Sequence, residues 1–385
     1  MKIYIDSLSR HTTFQMGGEA HIVELGSEAE VEDFFNNLEK HNNEYNLNIK
    51  SDMSSIRILG GGSNILVGED VKDLVFVKLS GVAPLAKAWR GAGGEGVWAG
   101  TPWDDFVVHT VALGYRDLAY LSLIPGTVGA APVQNIGAYG AEVKNTITEV
   151  RGYDFKEKKW KTFTNKECGF AYRHSRFQKE KSFLITGVSF TLNPHPLPIP
   201  QGEGRNANAL LSGSPPLEGG FRRGLYPSLK NLINENSTAQ EIRDAVIKVR
   251  DSKLPRIPYS PPHAGGARGG GELISPSVGS FFHNPIVGID IANKLKIDHS
   301  DMPLYEYDPE HKKLSAGWLI EHSDCADIKD ETFHFYKNNH LVITHKGESG
   351  PALNKLLIYS DKIKERVKEK FNIELNIEPE IIRLT

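Results

Sequence analysis

Three glycines, Gly60, Gly61 and Gly62, run directly into Ser63 and Asn64 after the apolar stretch IRIL. Such a run exposes several backbone N–H groups to one anion, a geometry that suits a diphosphate, and Ser63 and Asn64 add polar contacts. A purely structural turn accounts for the same letters equally well. The segment FAYRHSRF sets Tyr172 and Arg173 beside His174 and Arg176, a cationic and aromatic surface that fits an anionic ligand or a solvated loop. GSFFHNP offers the hydroxyl of Ser280 at a turn beside two packing aromatics. IEPEII places Glu378 and Glu380 around Pro379; one carboxylate can face a cleft while the other supports it, or both are surface acids. Arg250, Lys253 and Arg256 follow a predicted helix, where cations complement the helix dipole and can also receive a phosphate.

Other chemistries are poorly served. GAGGEG at 91–96 satisfies G-x-G-x-x-G, but APLAKAWR before it is a poor buried strand and the next helix starts only at Thr101, so an ordinary Rossmann site is not expected. H-E-x-x-H, C-x-x-C and G-x-S-x-G are absent, and the 14 histidines show no compact ligand spacing, so no metal is expected. Cys168 and Cys325 are too few for a disulfide scaffold; a reducing compartment is the plainer assumption, with their pairing left open. The 45 basic and 48 acidic residues exert no general pull toward nucleic acid or membrane. No signal-peptide core and no run approaching the roughly 20 apolar residues of a membrane helix is present, which makes a cytoplasmic protein the expectation.

The elements that must position these groups mix strand and helix signals. SEAEVEDFFNNLEK reads as a helix capped by Ser27 and Glu30, with Val31, Phe34, Phe35 and Leu38 on its apolar face. IRILGGGSNILV and KDLVFVKL read as short strands. TPWDDFVVHTVALGY predicts a helix with Thr101 at the N-cap, Pro102 at N1 and Gly114 as its stop. The charge-poor stretch LAYLSLIPGTVGAAPVQNIGAYGAEV, interrupted by Gly126, Gly129, Gly137 and Gly140, reads as ligand-lining loops. ITEVRGYDF, KWKTFT and SFLITGVSF are sheet segments. Irregular stretches are expected at about 192–224 and 258–276. Between them TAQEIRDAVIKVR predicts a helix burying Ile242, Ala245, Val246 and Val249, with Ser237 and Gln240 as its capping box. NKLLIYSDKIKERVKEKF closes the chain as a helix, followed by strand-like NIELNI.

In combination GGGSNILV, YLSLIPGTVGAAPVQNIGAYGAEV, CGFAYRHSRF, SKLP, GSFFHNP, SAGWLIE and IEPEIIRL resemble, in order, the segments of the UDP-N-acetylenolpyruvoylglucosamine reductase (MurB) family, the form with a full third domain. The resemblance implies an α+β fold: a two-part FAD-binding unit of the vanillyl-alcohol-oxidase-like type near 1–80 and 81–220, a substrate domain near 221–350, and a helix and strand at 351–385 returning to the active site. It implies noncovalent FAD bound by Gly60, Gly61, Gly62, Ser63 and Asn64, and by Pro125, Gly126, Thr127, Gly129, Ala130, Gln134, Asn135, Gly137, Ala138, Tyr139 and Gly140. NADPH would be the electron donor and UDP-N-acetylglucosamine enolpyruvate the substrate, without an obligate protein partner.

By the same resemblance Arg173 stabilises a developing enolate, Ser280 donates the proton to C2, and Glu380 polarises the substrate carboxylate. Tyr172, Tyr226, Lys253 and Asn284 would contact substrate, with Lys253 on phosphate. Pro227 and Ser228 stand where the family usually has glycine and aspartate, and His283 where it frequently has lysine. His283 is expected to tune phosphate or nicotinamide binding. A flavin oxidase on the same scaffold, or a noncatalytic nucleotide-sugar-binding protein, is the alternative.

Overall fold

The structure, a computed structural model, describes residues 1–81, 90–91, 94–192, 228–255, 275–346 and 350–384. Tyr226, Pro227 and Arg256, and nearly all of the two expected irregular stretches, lie outside the described residues. The chain divides into two units that alternate along the sequence. One holds Met1–Ile3, Ile22–Gly60 and Phe76–Arg250; the other holds Tyr4–His21, Gly61–Val75 and Asp251–Thr385. Each has its own apolar core. Antiparallel sheets and helices are segregated rather than alternating, the α+β class expected.

In the first unit a five-stranded antiparallel sheet runs, in spatial order, Lys159–Thr164, Ile147–Asp154, Phe183–Phe190, Gly94–Trp98 and Arg90–Gly91. Its first three strands are the expected ITEVRGYDF, KWKTFT and SFLITGVSF segments, rich in the β-branched and aromatic residues that pack well on a pleated surface. Gly91 pairs with Gly94, so GAGGEG joins two antiparallel strands and opens no helix.

Ser27 caps the helix Glu28–Asn36 by accepting from the Glu30 amide, as its spacing predicts. The Glu30 carboxylate reaches one residue further than a capping box requires and accepts from Gly26 at 2.6 Å. Phe35 stacks on Phe155 and Tyr153, and Arg151 forks onto Glu28, which fixes the helix on the sheet. Leu38 opens a separate helix, Leu38–Tyr45.

Two caps differ from expectation. The helix Trp103–Ala112 begins one residue late, with Pro102 at its cap and the Thr101 hydroxyl buried without a partner. The reason is tertiary: Pro102 bridges Thr127, and Val128 donates to the Thr101 carbonyl, so this backbone serves as a strand. In the helix Ala239–Lys253 the capping box is Thr238 with Glu241, because the Ser237 hydroxyl already accepts from the Asn234 amide. Ile242, Ala245, Val246 and Val249 are buried there, as the periodicity predicts. Gly114 takes a left-handed φ of +86° just past Leu113 and ends the earlier helix, as read.

The second unit is built on the helix Leu353–Phe371, which buries Leu356, Ile363, Val367 and Phe371. NIELNI forms no ladder strand; its Ile373 and Leu375 fill the core instead, and pairing is deferred to Glu380–Ile382, which lies parallel to Ile65–Val67. A three-stranded antiparallel sheet around His311–Leu314 and a hairpin of Phe333–Tyr336 with Asn339–His345 complete it.

Candidate functional site

In the first unit, Ala171 and His174 exchange both backbone hydrogen bonds and leave Tyr172 and Arg173 at the corner of a two-residue turn. Arg173 sits at φ +52°, a left-handed conformation that costs a non-glycine residue about 1 kcal/mol. Its Nη2 donates to the Gly137 carbonyl at 2.7 Å, and its guanidinium carbon lies 5.3 Å from the Tyr172 ring centroid. Arg173 as a whole is half-buried. Strain concentrated at a cationic corner is a common mark of a functional position.

The neighbouring loop carries a second strained turn. Gly137–Ala138 and Ala141–Glu142 form a minimal hairpin whose two corner residues, Tyr139 and Gly140, have φ of +52° and +86°. A type I′ hairpin turn has both corner residues left-handed, a conformation uncommon for a tyrosine. Burial pushes the Tyr139 phenol above its usual range, an effect opposed by the nearby Arg250 guanidinium.

Gly60 meets the expected second cofactor segment: a Cβ there would lie 3.0 Å from the Ala130 Cβ and 3.4 Å from the Thr127 hydroxyl. Further along, the Gly129 amide donates to Ala99 and the Ala130 amide to Thr127. These two donors hold the loop together and are not available to an anion. Those of Gly60, Gly61, Gly62, Gly126 and Thr127 have no acceptor among the described residues. Pro125 and Gln134 flank the same loop, both half-buried.

Behind this loop stands an ion pair that the sequence reading did not find. Arg243 forks onto Asp104 with both bonds at 2.7 Å, and Asp104 also accepts from the Leu123 amide at 2.7 Å. One carboxylate thereby ties two helices to the start of the IPG turn. Arg243 and Asp104 lie 139 residues apart, so no local signal in the sequence pointed from one to the other.

In the second unit one extended segment, 376–382, lies against two of the expected motifs. Asn376 accepts from the His283 amide, Ile377 bridges Phe282, and Glu378 donates to the Phe281 carbonyl. Two residues beyond Glu378, the Glu380 amide donates to the Asn64 carbonyl at 3.0 Å. The GSFFHNP segment and Asn64 of the glycine turn therefore both lie against the piece of chain that carries Glu378 and Glu380. His283 Nδ1 lies 3.5 Å from the Glu378 carboxylate. Gly62, at φ +63°, packs so tightly that a Cβ would fall 1.9 Å from the His11 carbonyl.

The remaining expected residues have plainer surroundings. Asn284 accepts from the Ala316 amide at 2.9 Å and helps start the short helix of SAGWLIE. Lys253 is the last residue of its helix. Cys168 and Cys325 are both buried free thiols, pushed by burial to about 12 and about 11. Arg173 belongs to the first unit, Ser280 and Glu380 to the second.

Residues 271–382 match the family model of the UDP-N-acetylenolpyruvoylglucosamine reductase C-terminal domain, and residues 20–156 match that of an FAD binding domain. A UDP-N-acetylenolpyruvoylglucosamine reductase of Neisseria meningitidis serogroup C is 36% identical over 332 residues, 85% of each chain. The chain belongs to the UDP-N-acetylenolpyruvoylglucosamine reductase family. Relatives of the same name from Bdellovibrio bacteriovorus and Pseudomonas fluorescens are 34% and 33% identical, each over 84% of this chain. The fold agrees: the crystal structure of the MurB reductase from Thermus caldophilus aligns over the whole of both chains with a TM-score of 0.62 at 18% identity.

The residues present fit the flavin that the reductase family implies. Within the first unit, the amides of Gly60, Gly126 and Thr127 have no acceptor among the described residues and suit an anion such as a diphosphate without a lysine-rich pocket, and a Cβ at Gly60 would press on that of Ala130 at 3.0 Å.

Proposed function

We propose that this chain carries out the NADPH-dependent, FAD-mediated reduction of UDP-N-acetylglucosamine enolpyruvate to UDP-N-acetylmuramate in peptidoglycan precursor synthesis. The observation that carries the reading is the match along 85% of both chains to a reductase of that name. The Gly60–Asn64 turn and the Pro125–Gly140 segment would hold FAD, which would supply the hydride chemistry that reduces C3 of the enolpyruvyl ether.

Negative charge then develops over C2 and the carboxylate. Arg173 opposes that charge with a fixed guanidinium fork already braced on the Gly137 carbonyl. Ser280 gives its hydroxyl proton to C2; a serine is a weak acid, so this step depends on a strongly basic enolate and close alignment. Glu380, protonated or hydrogen-bonded so as not to cancel Arg173, polarises the substrate carboxylate. Tyr172, Tyr226, Lys253 and Asn284 contact the nucleotide sugar.

The domain reading belongs to the same proposal: FAD-binding parts near 1–80 and 81–220, a substrate domain near 221–350, and 351–385 returning to the active site. So does a cytoplasmic place in the building of the cell wall, and hence in cell shape and division. No described helix is long and apolar enough to cross a membrane.

Anaerobic spectral titration tests the reading. NADPH bleaches the bound flavin, and the enolpyruvyl UDP-sugar then restores its absorbance. Restoration by oxygen with stoichiometric peroxide, and none by the sugar, would make the chain an oxidase; absence of any flavin spectrum would make it a binding protein.

A further inference from the structure

Asn135 is wholly buried, sits at a left-handed φ of +44°, and has both ends of its amide engaged. Its Nδ2 donates to the Ala171 carbonyl at 2.9 Å, and its Oδ1 accepts from the Lys144 amide at 3.1 Å. The Ala171 carbonyl is also the acceptor that closes the Tyr172–Arg173 turn, taking the His174 amide at 3.1 Å. Its two lone pairs are thus filled, one by the turn itself and one by Asn135. Lys144 is fixed in turn by Asn165, whose Nδ2 donates to the Lys144 and Ile147 carbonyls at 2.7 and 2.8 Å.

We propose that Asn135 is the positioning residue of Arg173: its side chain holds the Ala171 carbonyl, and through it the strained turn that aims the guanidinium. This inference rests on the reading of Arg173 given above. A carboxamide is the small side chain that can donate to a carbonyl and accept from an amide with one rigid group. The neighbouring rivet, Ser175 Oγ donating to the Val133 carbonyl at 2.6 Å, joins the same two loops beyond the turn. It secures the loops to one another; Asn135 acts on the turn itself. Because the turn holds Arg173 at φ +52°, release of its closing carbonyl lets the backbone relax and swings the side chain off Gly137.

The test is Asn135→Asp, which keeps the acceptor for Lys144 and sets a carboxylate against the Ala171 carbonyl. In the flavin-loaded full chain, with rates taken per bound flavin, reoxidation by the enolpyruvyl UDP-sugar falls 10- to 100-fold, a much larger loss than any in bleaching by NADPH. On an Arg173→Lys background the same substitution causes no further loss. In the apoprotein the Nε–Hε resonance of Arg173, assigned by its disappearance in Arg173→Lys, moves, while that of Arg243 does not.

Equal slowing of both half-reactions, losses that multiply in the double variant, or an unmoved Arg173 resonance would each overturn the proposal. Should Asn135→Asp fail to fold, Asn135→Gly, which suits the left-handed backbone and removes both bonds, takes its place with the same outcomes. If the wild-type protein is not reoxidised by the sugar, the reading of the reaction fails, and the resonance still decides the positioning.

Discussion

The Arg173 guanidinium donates to the backbone carbonyl of Gly137 across two loops that the sequence keeps 36 residues apart. One arm of the fork is therefore anchored to protein, which fixes the direction of the rest. Arg173→Lys keeps the charge and loses the planar fork. Stopped-flow spectroscopy is expected to show NADPH reducing the flavin at a near-normal rate and substrate-dependent reoxidation slowed roughly 10- to 100-fold, the loss of about 1.5–3 kcal/mol for a charged hydrogen bond. A normal second phase would remove Arg173 from its assigned role.

Ser280→Ala removes the proton donor without touching the core, since Ser280 is half-buried beside the packed Phe281 and Phe282. Reoxidation by substrate slows by about 10²- to 10⁴-fold, the range for a lost general acid, with NADPH oxidation of the first turnover intact. Equal impairment of both phases would count against it.

The Asp104–Arg243 fork is nearly buried, with the two side chains 13% and 11% exposed. Arg243→Leu leaves Asp104 charged and unpaired, and urea unfolding is expected to show a loss of about 3 kcal/mol. Asp104→Leu with Arg243→Leu recovers much of that loss, because the stranded charge is gone, while flavin retention stays weaker through the freed Leu123 amide. Equal stability of the single variant and the wild type would show the pair to be solvated.

Gly62→Ala meets two obstacles at once, a left-handed backbone and the His11 carbonyl 1.9 Å from the new methyl. The backbone alone costs about 1–2 kcal/mol. Thermal unfolding is expected to fall by several degrees and the flavin to be lost on gel filtration. A stable, flavin-replete Gly62→Ala would refute the close approach.

His345 is buried with Nε2 against the Phe14 carbonyl at 2.7 Å, and burial pulls its pKa below the ordinary 6.5, opposed by that hydrogen bond. The unfolded chain takes up a proton near 6.5 while the folded one resists, so stability is full above that pH and drains as pH falls toward the depressed value. His334, also lowered by burial, adds to the same slope. His345→Gln, measured by melting temperature between pH 7.5 and 5, flattens the decline; an unchanged slope would assign it elsewhere.

The Ser27 cap, the Gly114 stop and the buried faces of Ala239–Lys253 and Leu353–Phe371 were legible because each depends on residues within a turn or two of one another. The caps at Thr101 and Ser237 were misread for the opposite reason. A bridge to Thr127 claimed the backbone beside Thr101, and Asn234 claimed the Ser237 hydroxyl. The glycine run was legible as a tight turn, while the donors tied up at Gly129 and Ala130 could be known only once Ala99 and Thr127 were placed.

By itself the sequence determined which candidate chemical groups this chain carries and which family it resembles, since residue types and ordered motifs survive without coordinates. Tertiary structure alone decided that Asp104 answers Arg243, that Glu380 returns to Asn64, and that Asn135 serves the Arg173 turn. Hydrogen bonds and ion pairs act over a few ångströms, and only folding brings such distant positions within that reach.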